Sequence, residues 1–264
     1  MTCWLFASQK DGISALSLKR ALEIGSNQTA WAMLHRLRSV LVRPGRERLR
    51  GEVEVDETYI GGEEPGLRGG RQKGKKALVA VAVERKQPRG FGRCRMVPIP
   101  DASAETLRRF LVENVEPGAR VITDGWAAYP GATKDLYLHE PVLGASGADA
   151  ATLLPGVHRV SSLAKRWLLG THQGSVDEAH LASYLSEFVF RFNRRRSRSR
   201  GLVFYRVLEL AVAHEPVRYQ AIVAKPSPGK ARRSPPATRG RPPTLERPRA
   251  RRPWRRATSL LNSG

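Results

Sequence analysis

Asp56 lies in Val53-Glu54-Val55-Asp56-Glu57-Thr58-Tyr59-Ile60, where apolar and polar residues alternate until Gly61-Gly62 breaks the pattern. A period of two is the signature of a half-buried strand, and the glycines mark where its backbone turns away. Asp124 has a similar setting, because Arg120-Val121-Ile122-Thr123 reads as a short strand and Gly125 follows the aspartate. If the two strands are neighbours, the carboxylates converge and can share a divalent metal ion. Taken alone, an aspartate before glycine is an ordinary turn residue. The pair gains weight from a third group on a facing helix, which His158 and Lys165 supply. Seven residues apart, they share one face of a helix predicted over 157–169. His158 begins that helix as a candidate ligand, and Lys165 extends toward a phosphate. Such a cluster suits two-metal phosphoryl chemistry, with ions roughly 3.5–4 Å apart activating the attacking oxygen and stabilising the leaving one.

Charge suggests what such a metal acts on. The 264 residues carry 46 Lys/Arg against 24 Asp/Glu, a formal net charge of +22. That points to a polyanion, nucleic acid first and an anionic membrane surface second. No apolar run approaches the roughly 18 residues of a membrane span, and the first residues lack a basic leader followed by an apolar stretch. Cys3 and Cys94 stand far apart, giving neither a disulfide framework nor a CxxC zinc pattern. The chain reads as cytoplasmic and nucleoid-associated, with no membrane partner. From Lys225 onward there are twelve Lys/Arg against one acid, Glu246, and eight of the eighteen prolines. With few large apolar residues, the segment 222–264 is predicted to be a disordered basic tail. It reads equally as a nonspecific DNA-binding arm or as a solvated extension.

The elements that must position these residues follow from periodicity. Residues 13–24 and 29–41 have apolar residues at helical spacing around Gly25-Ser26-Asn27-Gln28, so 1–45 forms a helix-turn-helix-like segment. Asn27, Gln28, His35, Arg36 and Arg38 could then face a groove, although an ordinary helical hairpin fits the same pattern. Residues 50–215 read as a second unit. Its strands are predicted at 52–60, 77–83 and 93–99, then a helix capped by Asp101 or Ser103, strands at 120–123 and 136–142, and helices at 157–169, 177–193 and 202–213. A meander, a helix and then alternating elements make an α/β fold, a mixed ribonuclease H-like sheet flanked by helices.

Gly69-Gly70-Arg71-Gln72-Lys73-Gly74-Lys75-Lys76 nearly spells a phosphate-binding P-loop. Lys76 replaces the magnesium-binding Ser/Thr, however, and the segment precedes a strand instead of opening a helix. It reads as a basic hairpin loop whose Arg71, Lys73 and Lys75 brush a DNA backbone. Arg166, Arg191, Arg194 and Arg195 are further phosphate-contact candidates. Leu181, Tyr184, Leu185, Phe188 and Phe192 recur at helical spacing and belong to a core.

The motifs Val55-Asp56-Glu57-Thr58-Tyr59-Ile60-Gly61-Gly62, Thr123-Asp124-Gly125-Trp126 and His158-Arg159-Val160 through Lys165-Arg166-Trp167, followed by Tyr184-Leu185-Ser186-Glu187-Phe188-Val189-Phe190-Arg191-Phe192-Asn193-Arg194-Arg195, resemble insertion-sequence transposases of the DDE superfamily, in the ISXO-type branch. The resemblance spans roughly residues 4 to 222. It implies a ribonuclease H-like domain that cleaves and joins DNA at transposon ends with Mg2+ or Mn2+, acting on two ends as a homo-oligomer. Asp56 and Asp124 would be metal-binding aspartates, His158 would stand where Glu is usual, and Lys165 would be the basic residue seven positions on. Histidine adds no negative charge and suits borderline metals better than magnesium. Relatives commonly begin with a cysteine-rich zinc ribbon, of which this sequence shows none, so a shortened copy is expected. Two other functions fit the same residues: an inactive remnant that only binds DNA, and a nuclease of this fold that hydrolyses without joining.

Overall fold

The computed structural model describes residues 1–43, 45–61, 76–86, 88–142, 153–173 and 176–224. The loop carrying Arg71, Lys73 and Lys75, the glycine- and alanine-rich loop 144–151 and the tail from 225 lie outside the described residues.

A sheet buried on both faces needs a strand that is apolar on both sides, and β2 (Ala77–Arg85) supplies it. Val79, Val81 and Val83 enter one core and Ala80 and Ala82 the other. The neighbouring strands are β1 (Glu52–Ile60) and β3 (Phe91–Pro98), each antiparallel to β2. Beyond β1 lie β4 (Arg120–Thr123) and β5 (Leu138–Pro141), both parallel to it, giving the order β3-β2-β1-β4-β5. One face is covered by α4 (Ala104–Asn114) and α5 (Tyr129–Thr133), through Leu107, Phe110, Leu111 and Tyr129. Ser103 caps α4 by accepting from the Thr106 N–H. The other face is covered by α6 (Pro155–His172) and α7 (Glu178–Asn193), through Val157, Val160, Ala164, Leu185 and Phe188. This mixed sheet with helices on both faces is a ribonuclease H-like α/β fold. Among the described residues, no helix is long and apolar enough to cross a membrane.

Edge strand β3 has β2 on one side. On its other side Asn193 donates to the Cys94 carbonyl at 3.2 Å and accepts the Cys94 N–H at 2.8 Å. One side-chain amide thus does what a further strand would do at that residue, shielding an edge that is otherwise open to pairing.

The amino-terminal helices are α1 (Thr2–Ser8), α2 (Ala15–Ala21) and α3 (Asn27–Ser39). Ser14 and Ser26 cap α2 and α3, so the predicted helical pair is present. It does not stand apart, because Phe6, Leu18, Ala30 and Leu34 share a core with Phe190 of α7 and with Val203 and Val207 of α8 (Arg200–Val212). Arg38 and His35 were expected at a groove, yet they are only 2 % and 3 % exposed. Both point inward: Ala30, Leu34 and Arg38 follow one helical stripe, and His35, next to Leu34, packs against Tyr184. Arg38 pairs with buried Glu187 at 2.8 Å and lies 4.2 Å from the Tyr184 ring centroid. A short last helix, α9 (Tyr219–Val223), packs on α3. Gln28 donates to the Tyr219 hydroxyl, and Arg36 donates to the Val217 carbonyl at 3.0 Å.

His35, His180 and Tyr184 pack ring against ring, and His172 joins them through Tyr184. Desolvation, then the nearby Arg38 charge, pushes the His35 pKa down to about 3 and the His172 pKa down to about 4. An unfolded histidine takes up its proton near pH 6.5, so below that value the unfolded chain binds protons that the folded chain refuses. Stability is therefore full above pH 6.5 and is lost as pH falls through this window, by about 1.4 kcal/mol per pH unit for each histidine. Urea melts at pH 7 and pH 5 are expected to show this loss, and His35→Gln to remove about one proton from the linkage. Identical pH slopes for the two proteins would contradict it.

Candidate active site

β1 and β4 run side by side, pairing Glu52 with Arg120, Val53 with Val121 and Glu54 with Ile122. This constant offset of 68 residues is also the separation of Asp56 from Asp124. Each aspartate therefore lies two positions past the last β1–β4 pair, Glu54 with Ile122, on backbones spaced about 5 Å apart where paired. Alternation sets the face. Ile122 packs in the core beneath α6 and Glu54 bonds the start of α6, and Asp56 follows Glu54 by one period. Asp56 Oδ1 accepts the Glu57 N–H at 2.7 Å. Asp124 Oδ1 accepts the Trp126 N–H at 3.0 Å, closing a turn in which Gly125 takes φ +78°. On the opposite face Tyr129 donates to Glu57 at 2.6 Å. Burial first, and then the Glu57 carboxylate, hold the Tyr129 hydroxyl pKa well above its ordinary value.

The start of α6 is held by a residue that the sequence reading did not single out. Leu154, its N-cap, provides no side-chain bond. Pro155 has no N–H, and the next two are taken by a single carboxylate oxygen: Glu54 Oε2 accepts from Gly156 at 2.7 Å and from Val157 at 3.0 Å. Its other oxygen accepts from Arg85 at 2.8 Å. Glu54 is fully buried, and a carboxylate at a helix N-terminus satisfies both the orphan donors and the dipole. The approach is close enough to require glycine, since a Cβ at Gly156 would lie 2.8 Å from Glu54 Oε2 and from the Phe91 ring. Bonds to a charged group contribute about 1.5–3 kcal/mol each. Glu54→Gln is expected to lower the melting temperature by roughly 5–10 °C, checked by calorimetry. An unchanged melting temperature would argue that α6 is held by packing alone.

Further along α6, Lys165 lies close enough to Asp56 for that carboxylate to raise its pKa. Partial desolvation and the like charge of Lys76 outweigh this and leave the pKa below its ordinary value. His158 sits two turns back, half-buried, in the turn that Glu54 anchors. Among the described residues, no group of three or more His, Cys, Asp or Glu side chains is placed to hold a metal ion. The adjacent positions of Asp56 and Asp124 suit a hard divalent ion, which takes one or two carboxylates and fills its remaining positions with water and substrate oxygens.

Several predicted DNA contacts have internal uses. Arg191 pairs with Glu187 at 2.7 Å and donates to the carbonyls of Phe6 and Gln9. Arg195 donates to the carbonyls of Phe91 and Gly92 on β3. Arg194 lies 3.8 Å from the Phe190 ring centroid. Asn27 and Arg166 are exposed, and Gln28 and Arg36, also exposed, bond the segment that carries α9. The sequence reading missed Glu54 and Asn193. A glutamate flanked by Val53 and Val55, and a helix that opens on proline without a capping residue, were the available signals for the first.

Residues 48–193, more than half of the chain, match the family model described as an ISXO2-like transposase domain. The match runs from just before β1 to the last residue of α7 and takes in both aspartates, Glu54, His158 and Lys165. No curated protein matches the chain.

Proposed function

This chain belongs to the ISXO2-like transposase family, and from that membership we propose that it cleaves DNA at transposon ends and joins the freed ends to target DNA. The observation that carries the reading is that Asp56 and Asp124, inside the matched region, keep the 68-residue offset of the paired residues of the adjacent parallel strands β1 and β4, two positions past the last β1–β4 pair. Members of the DDE superfamily work with divalent metal ions. Here Asp56 and Asp124 would hold the ion, and His158 would serve as a further ligand in the two-metal form only by moving toward them, since the three do not stand together as a ready ligand group. When bound, Mg2+ or Mn2+ supplies Lewis-acid charge at the scissile phosphate.

The chain's own residues do the rest. Lys165, on the exposed side of α6 and within reach of the Asp56 charge, orients a non-bridging phosphate oxygen. Glu54 fixes α6, and with it Lys165, against the strand that presents Asp56. Cleavage transfers the phosphoryl group to water and releases a 3′-hydroxyl. Joining repeats the displacement, with that hydroxyl attacking a target phosphodiester in line as the target's own 3′-oxygen leaves. Asn27 and Arg166 are assigned to DNA contact outside the reacting centre. The deciding experiment is strand transfer by the purified chain on a pre-nicked end, with Mg2+ or Mn2+ supplied. Joined product is expected. Binding without joining would leave a DNA-binding remnant, and hydrolysed ends alone would indicate a nuclease.

A further inference from the structure

At the open edge of β3, where the chain leaving α3 meets α7 and α8, lies a cavity of about 390 Å³. Arg43, Arg46, Arg93, Arg95, Arg194 and Arg206 line it. Three of these have carboxylate partners: Arg43 with Glu47, Arg93 with Glu84 and Glu47, and Arg206 with Glu209. Among the described residues the other three reach only neutral oxygens. Arg46 donates to Asn114 Oδ1 at 2.9 Å, Arg95 to the carbonyls of Cys94 and Glu47, and Arg194 to the Phe190 carbonyl at 3.4 Å.

Arg95 is 4 % exposed, and its Nε has no hydrogen-bond partner among the described residues. Desolvation, then the like charges of Arg46 and Arg93, bring its pKa down to about 10. Arg46 and Arg194 are also pushed down, burial being the largest cause for each. Buried cations are expensive unless an anion pairs with them, and here the protein supplies too few.

The cluster is separate from the aspartates. The ladder Val55–Ala82–Arg95 crosses two strand spacings, about 10 Å. The cavity lies past β3, at the edge of the sheet away from β4, and its walls come from β3, α7, α8 and the chain after α3. We propose that this cavity is an anion site that seats a phosphate of the DNA backbone, on a stretch of DNA other than the strand presented to Asp56 and Asp124. Guanidinium forks match phosphate oxygens in geometry as well as charge, and although Glu47 also lines the cavity, an incoming phosphate would give Arg46, Arg95 and Arg194 the directly bonded anion that their neutral partners do not provide.

The identification of the anion as DNA rests on the proposed function, but the anion site does not, so the test has two arms. The first arm is thermal unfolding of the full chain in inorganic phosphate against chloride at equal ionic strength. Phosphate near 100-fold above its dissociation constant is expected to raise the melting temperature by roughly 5 °C. Arg46→Gln combined with Arg194→Gln should abolish that rise, and Arg46→Lys, which keeps the charge but not the fork, should retain part of it. The second arm is duplex-DNA binding as a function of salt, where the double variant should lose about 0.9 from the slope of log K against log salt for one phosphate released. No phosphate-specific rise in the wild-type chain, or an equal rise in the double variant, overturns the site. A rise that the double variant loses, with an unchanged salt slope, overturns DNA as the occupant in favour of a small anion. Failure of strand transfer with both arms positive would count against the proposed reaction and not against this site.

Discussion

Asp56→Asn and Asp124→Asn are each expected to reduce strand transfer on a pre-nicked end on the order of 10³-fold, while leaving DNA binding and the melting temperature close to those of the parent chain. Asparagine has nearly the shape of aspartate and keeps the carbonyl oxygen that accepts the N–H of Glu57 in one case and of Trp126 in the other. What it loses is the charge that holds a hard cation. Removing about 4 kcal/mol of transition-state stabilisation corresponds to a rate loss of about 10³-fold. Single-turnover joining measures the first quantity and gel mobility with labelled ends measures the second. Metal-dependent joining retained in both variants would show that the paired register of β1 and β4 does not mark the reaction centre.

The largest effect on stability is expected at Glu187. Its carboxylate is wholly buried, and it accepts from Arg38 at 2.8 Å on one oxygen and from Arg191 at 2.7 Å on the other. Arg38 arrives from α3, and Arg191 carries the interaction on to the carbonyls of Phe6 and Gln9. One side chain thus joins the amino-terminal helices to the helix that packs under the sheet. Glu187→Gln leaves Arg38 buried opposite a neutral amide, and breaking a buried pair in this way costs roughly 3–5 kcal/mol. A fall in melting temperature of roughly 10–15 °C follows, readable by calorimetry alongside urea melts. Replacing the whole cluster, as Arg38→Met with Glu187→Leu and Arg191→Met, is expected to recover most of the loss, because neither guanidinium is then left without its carboxylate. A loss below about 1 kcal/mol in the single variant, the range of an exposed pair, would mean that water reaches Glu187 on the timescale of unfolding.

Much of the sheet was legible because strands write their burial into the sequence. The two-sided apolar run of β2 and the alternation of β1 could hardly pack otherwise, and the offset between Asp56 and Asp124 reappears as the register of β1 on β4. Short elements left no such trace. α1, α5 and α9 have 7, 5 and 5 residues, too few for a helical period to stand out. Long-range polar contacts were invisible for a different reason. Glu54 meets Gly156 across 102 residues, and nothing local to a glutamate announces a helix end so far along the chain. The arginines after Phe190 showed the limit of composition, since a guanidinium that clamps carbonyls and one that grips phosphate are the same residue in sequence. Asn193, Arg194 and Arg195 divide between an edge clamp, a cavity wall and a carbonyl tether according to what the fold places opposite them. Arg38 is the instructive case, because its charge argued for a groove, whereas in the fold it continues the Ala30–Leu34 stripe and is buried with it.

The grip of Glu54 on α6 has a bearing on how such a gene can drift. A helix tied to a strand by its first N–H groups does not depend for its placement on the chain that leads into it. The placement of Lys165 relative to Asp56 would then hold even where the chain between residues 142 and 153 differs in length. Insertions can accumulate there without dispersing the reacting groups, whereas a single methyl group added at Gly156 cannot be absorbed.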